Sequence, residues 1–380
     1  MYSVSTRRAD GRFGVPPPSK ARNCATPLEL VRLDRLMAVT TGNAEVKIGL
    51  LDGPIALNRP ALPAQNIREI PGKLSGSCAR AGSSACIHGT FVAGILAAKR
   101  KSGAPAIAPQ CTLLVRPIFP EDRGPYADIP RATPEELATA LLDTVNASAR
   151  VINLSAALLH GSPGGESRLG AALDYAAQRG VVVVAAAGNQ SSVGSSAITR
   201  HPWVIPVAAC NIQGRPLGQS NLGSSIGRRG LSAPGENIVS LSTSGGLQTF
   251  AGTSAAAPFV TGTIALLFSQ FPNASAAQVK LAVTQAGTSR RSAIAPPVLD
   301  AWDAYESLAA TSRPLTRSTL PGSFSRANPA AAESRSSEEG AGQLTQSDFE
   351  IALSRYQDLA ADSSLYFPSA SHVVRFNNAA

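Results

Sequence analysis

The feature that most constrains this chain is a series of short, branched-rich apolar runs, each closed by turn residues and separated from the next by helical patterns. Residues 46–52 (VKIGLLD) stop at Gly53-Pro54, and 113–119, 151–155, 181–187 and 204–209 repeat the theme. A strand with one wet face alternates apolar and polar residues, whereas a run that is apolar throughout needs cover on both faces. Strands of that kind, interleaved with helices, predict an α/β domain with a mostly parallel sheet between helical layers.

The intervening helices carry start and stop signals. Thr133-Pro134-Glu135-Glu136 sets a hydroxyl at an N-cap, proline at the first helical position and glutamate at the third. This arrangement satisfies the unpaired amides of a first turn from both sides. Leu137, Leu141 and Val145 follow at helical spacing, the segment 168–178 runs up to Gly180, and Ser275-Ala276-Ala277-Gln278 opens a further helix. A helix over 91–98 is expected after His88-Gly89-Thr90, and the stretch Gly252–Pro258 stands at the mouth of another.

At 380 residues and 44% hydrophobic, the chain is large enough to bury a full-sized core. Its formal charge of +9 is spread out, clustering only at Lys99-Arg100-Lys101, Arg228-Arg229 and Arg290-Arg291. With no basic stripe and no interleaved aromatics, a nucleic-acid partner is not expected. The longest apolar runs, 181–187 and 264–268, are too short to span a bilayer. Five cysteines with no metal-ligand spacing point to neither a disulfide scaffold nor a zinc site. Cys78 and Cys86 share one Gly/Ser-rich loop, where they either close a small ring or stay as reduced thiols.

Four regions are expected: an N-terminal extension (1–44) with a helix-like stretch at 28–37, a catalytic-type domain (45–310), a Ser/Arg/Ala/Pro-rich linker (311–345), and a tail (346–380). The tail carries a helical stripe over 347–359 and a short apolar stretch at 373–376, and is read as docked onto the domain. No apolar stretch follows Arg7-Arg8, so no secretion signal is read and a cytoplasmic location is expected.

Four segments hold groups suited to acyl transfer. Asp52 ends a buried strand, where open α/β sheets place their sites. His88 opens an apolar helix, Ser254 stands in Gly252-Thr253-Ser254 at the mouth of another, and Asn189 follows the strand 181–187. Taken singly, each residue reads as a cap or a turn. Together they supply a nucleophile, a base to deprotonate it, a carboxylate to fix the base's tautomer and an amide to meet an oxyanion.

The chain order Asp, His, Ser is that of subtilisin, and the Gly-x-Ser-x-Gly elbow of α/β-hydrolases is absent because Ala256 follows Ser254 by two. Asp52 in Leu-Leu-Asp-Gly, His88 in His-Gly-Thr-Phe-Val-Ala-Gly, Asn189 in Ala-Ala-Ala-Gly-Asn and Ser254 in Gly-Thr-Ser-Ala-Ala-Ala-Pro resemble the signature blocks of the subtilisin-like serine proteases, over about residues 45–308. The resemblance implies a three-layer subtilisin-like fold and a serine endopeptidase working through an acyl-enzyme, with Asp52, His88 and Ser254 as triad and Asn189 as oxyanion donor. It also implies that Ser155-Ala156-Ala157 pairs with the substrate backbone by strand addition, facing Ala186-Ala187-Gly188 across the specificity pocket. No cofactor or metal is implied, and no acidic calcium-type cluster is visible.

The departures are Phe91 where many members have His, Ala156-Ala157 where Gly is common, and Ala255 where Met is common. Asp52-Gly53-Pro54 is similar to the form found in maturation proteases of cyanobactin-type peptide pathways, and only 51 residues precede Asp52, too few for both a signal and a folding propeptide. A dedicated precursor peptide is therefore the expected substrate. Two other readings share the same residues: a transamidating macrocyclase, which needs a lid that excludes water, and a non-catalytic binding module. Residues 120–129 show no helical period, which favours hydrolysis. The oligomeric state is not legible.

Overall fold

The computed structural model describes residues 26–121, 131–155, 157–158, 163–287, 292–312 and 365–366. The helical stripe expected at 347–359 and the stretch at 373–376 lie outside them, as does most of the loop at 120–129.

Seven parallel strands form the central sheet: β1 (Lys47–Leu51), β2 (Ile67–Glu69), β3 (Thr112–Val115), β5 (Val151–Leu154), β7 (Val182–Ala186), β8 (Val204–Cys210) and β9 (Leu231–Pro234). Their order is β2-β3-β1-β5-β7-β8-β9, and every pairing is parallel. The expected strands are all present, one to three residues shorter or longer than the apolar runs. Alternate residues feed opposite faces: Val182 and Val184 join one core cluster, Val183 and Ala185 the other. A strand buried on both sides has to be apolar at every position, which is why the runs lack polar alternation.

Among the described residues the α-helices are α1 (Pro27–Leu30), α2 (Leu33–Val39), α3 (Ser84–Ala97), α4 (Pro134–Asn146), α5 (Pro163–Gln178), α6 (Ala197–Arg200), α7 (Ser224–Arg229), α8 (Thr253–Gln270), α9 (Ala276–Gln285) and α10 (Ala301–Ser312). The core on one face is built from α2, α3 and α8, that on the other from α4 and α5. The hairpin β10 (Ile238–Leu241) and β11 (Leu247–Phe250) leads into α8 and holds α3 from outside, with Ser240 Oγ donating to the carbonyl of Phe91 at 2.7 Å. A last, three-stranded sheet has the order β4 (Arg131–Ala132), β12 (Leu365–Tyr366), β6 (Ala157–Leu158).

Two expectations are corrected in detail. The stretch 28–37 is two helices, because Arg32 takes a left-handed φ of 49° between them. That turn aims its guanidinium at Asp300 beside α10, 2.7 Å from Nε to Oδ1, while Val31, Leu33 and Leu36 are fully buried. The helix expected over 91–98 starts seven residues earlier, capped by Ser83 Oγ on the N–H of Cys86. Gly89 in its second turn is a weak helix former and masks the start in a reading by propensity.

Candidate active site

β1 sits where the chain reverses its direction of spread, with β3 on one side and β5 on the other, and such switch points open a crevice at the carboxyl ends of the strands. Asp52 is the first residue beyond β1 and is wholly buried. Its Oδ1 accepts the N–H of Gly53 at 2.7 Å and lies 2.8 Å from His88 Nδ1. That closeness depends on two glycines. A Cβ on Gly53 would fall 2.0 Å from the carbonyl oxygen of Ala85, and one on Gly89 2.4 Å from that of Gly53. Backbone therefore packs on backbone, and α3 comes down onto the turn after β1.

His88 lies in the second turn of α3, only 4% exposed, its ring stacked on Phe250 with centroids 6.4 Å apart. Phe250 in turn packs on Phe91 at 4.6 Å. The aromatic at position 91, where the family commonly has histidine, thus extends the apolar wall behind the imidazole. The start of α3 is fastened by a Cys78–Cys86 disulfide, Cα to Cα 5.6 Å, so these two cysteines close the small ring. The Glu121 carboxylate lies beside them and accepts the N–H groups of Ala79 and Arg80 and the Ser83 hydroxyl. With both sulfurs bonded to each other and the carboxylate engaged, this trio does not suit a metal ion. The unpaired Cys111 and Cys210 are buried, and burial pushes both thiols up, Cys210 to about 12 with help from Glu236. Neither is a nucleophile near neutral pH.

Ser254 is the second residue of α8, and every residue of that helix from Thr253 to Phe268 is buried. The N-cap is Gly252, at φ 136°, which offers no side-chain cap. Instead Asn189 caps from another strand end: its Oδ1 accepts the N–H of Thr253 at 2.9 Å and the Thr253 hydroxyl at 3.0 Å. A Cβ on Gly252 would fall 2.6 Å from Asn189 Nδ2, so only glycine lets the amide sit there. The N–H groups of Ala255 and Ala256 bond the Gly252 carbonyl, which leaves the Ser254 N–H without a partner among the described residues. Ser254 Oγ is likewise buried and unpartnered. α3 packs against α8, which brings the helix of His88 alongside that of Ser254.

Ala186 and Ala187 are buried, and Gly188 takes φ 102° with its N–H on Thr253 Oγ1 at 3.1 Å. Ser155 is buried beyond β5, its Oγ accepting from Asn153 Nδ2 at 2.9 Å, and Asn153 Oδ1 accepts from Thr261 of α8. Ala157 is in β6, and Ala156 lies outside the described residues. The sequence reading passed over Thr253, which joins Asn189 and Gly188 to α8, as well as Phe250 and the Asn153–Thr261 tie. Thr253 stood inside the quoted motif, and its neighbour's missing cap was the available signal.

The all-parallel sheet thus carries a buried Asp–His pair at its switch point, and α8 opens with Ser254 on a helix packed against that of His88. Residues 43–302 match the family model described as Subtilase family, and the chain belongs to that family of serine endopeptidases. It is 30% identical over 268 residues to subtilisin DY of Bacillus licheniformis, covering 69% of this chain and 90% of that protein. Against subtilisin E of Bacillus subtilis it is 32% identical over 247 residues, 62% of this chain and 59% of the relative. Among solved structures, a serine-to-alanine mutant of the protease domain of PatA superposes with a TM-score of 0.64 at 31% identity, covering 71% of this chain and 97% of that one. The prenylagaramide maturation protease PagA gives 0.63 at 28% identity, covering 73% and 98%. The PatG macrocyclase, at 20% identity and a TM-score of 0.62, shares the fold.

Proposed function

We propose that this endopeptidase cleaves an extended precursor peptide by a Ser254 acyl-enzyme mechanism. The observation that carries the reading is the buried Asp52–His88 pair at 2.8 Å beside a helix start whose serine has both Oγ and N–H unpartnered. Asp52 fixes the imidazole with its proton on Nδ1, and Nε2 takes the proton of Ser254 Oγ. Oγ then bonds to the carbonyl carbon of the scissile peptide. The resulting oxyanion meets Asn189 Nδ2 and the Ser254 N–H, while His88 hands its proton to the leaving amine. Water, deprotonated by the same imidazole, splits the acyl-enzyme. Ser155 and β6 hold the acyl side of the peptide by main-chain pairing, and the small Ala186-Ala187-Gly188 segment lines the opposite wall. The likeness to PatA and PagA, whose names speak of peptide maturation, supports a ribosomal precursor as substrate class.

The test is fluorophosphonate labelling read by intact mass. One adduct on the wild type and none on Ser254→Ala is the expected result; no adduct on either refutes the mechanism and leaves the binding-module reading standing. Turnover in the Ser254→Ala variant is expected to fall by about 10⁶, the scale known from subtilisin itself. Product masses separate hydrolysis from transamidation, since a cyclic product is lighter by one water.

A further inference from the structure

The small sheet β4-β12-β6 joins three pieces of chain that are far apart in sequence. β6 follows Ser155 closely in the chain, and between it and β4 lies Leu365–Tyr366 of the C-terminal tail, paired antiparallel to both. Leu365 stands opposite Ala132 on one side and Leu158 on the other; Tyr366 stands opposite Arg131 and Ala157. Ala157 is one of the residues assigned above to substrate pairing. Strands in a sheet lie about 4.8 Å apart, so two edges joined through one intervening strand leave a slot that takes one chain and no more. Whatever fills that slot excludes a second occupant.

We infer that the segment around Leu365–Tyr366 is an intramolecular occupant of the substrate slot, competing with the peptide substrate and holding the enzyme back. The inference rests on the reading of β6 as the substrate-pairing strand. Direction agrees with it. β12 runs antiparallel to β6, and Ser155 precedes β6, so the step from Leu365 to Tyr366 is directed toward the Ser155 end of β6. The sequence that follows is Phe367-Pro368, and proline has no N–H with which to extend a ladder, a property of a plug more than of a good substrate. Reach is ample: 52 residues separate Ser312 from Leu365, a contour of up to about 170 Å.

The experiment uses the full chain. Leu365→Pro with Tyr366→Pro removes both backbone donors of β12. For a peptide substrate with four residues on the acyl side, KM is expected to drop about 3–10-fold at unchanged kcat, as a tethered competitor at millimolar effective concentration is released. KM for a single-residue ester, which does not enter the slot, is expected to stay put. A fluorescent peptide of residues 360–372 is then titrated by anisotropy into the same double variant carrying Ser254→Ala, a readout that needs no turnover. Saturable binding displaced by the peptide substrate supports the inference. An unchanged KM together with no binding overturns it. If fluorophosphonate fails to label Ser254 while the peptide binds, the catalytic reading fails and the tail's occupancy stands; labelling without binding is the reverse.

Discussion

Two helix starts in this molecule solve the same electrostatic problem in opposite ways. The first turn of any helix presents four N–H groups with no partner inside the helix. At α4 the sequence supplies its own cap: Thr133 Oγ1 accepts from the N–H of Glu136, and the Glu136 carboxylate accepts from that of Thr133. At α8 the cap position is a glycine, Asn189 reaches in from the end of β7 to satisfy Thr253, and the Ser254 N–H is left over. A self-sufficient start makes a stable surface helix. A start capped from outside, with one donor spare, makes a place where developing negative charge is welcome.

The largest effect is expected from breaking the outside cap. Asn189→Ala should lower kcat by about 10²–10³, a scale measured on subtilisin's own oxyanion donor, with little change in KM. Gly252→Ala tests the same contact from the other partner: its methyl enters the space of Asn189 Nδ2, at a φ of 136° that disfavours a side chain, so activity and stability should fall together. Steady-state kinetics with a thermal melt on each variant separates the two; an Asn189→Ala enzyme with full kcat would remove the amide from the mechanism.

Next comes the third kind of start, that of α3, which adds a covalent tie. Replacing both Cys78 and Cys86 by Ala reopens a ring of eight residues' separation and should cost about 2.5 kcal/mol by chain entropy. Urea unfolding with and without reductant checks it: the wild type in reductant should approach the double variant, and coincident curves in oxidising buffer would show that the tie contributes nothing. The smallest effect belongs to the self-capped start. Thr133→Ala should cost about 1 kcal/mol of stability and leave kcat alone, measured by the same two assays. If Thr133→Ala instead damages turnover as Asn189→Ala does, the contrast between the two starts collapses.

The fold was legible in the sequence because its strands are buried on both faces, so that apolar runs such as 181–187 mark them directly, and because surface helices such as α4 and α9 announce themselves with capping boxes. Asp52, His88, Asn189 and Ser254 were legible as pieces of family motifs. What stayed hidden was non-local or anti-propensity. Gly89 obscured the start of α3, since its lack of a side chain serves the approach to Gly53 and not the helix. The φ of Arg32 answers to Asp300, 268 positions away. β12 is two residues long and has no periodicity to read; only the slot between β4 and β6 makes it a strand. The spare N–H of Ser254 is the absence of a cap, and absences do not show in composition.

The strand order has a consequence for the life of the chain before it is finished. Asp52 leaves β1 early, yet its partners in the crevice arrive with β7 and finally with α8, whose Ser254 comes 202 residues later. Parallel crossovers close such distances late and slowly. A nascent or half-folded copy therefore holds its carboxylate and imidazole without a nucleophile between strand ends. On the proposed mechanism, cutting ability emerges only when α8 docks, so an unfinished copy cannot cut itself.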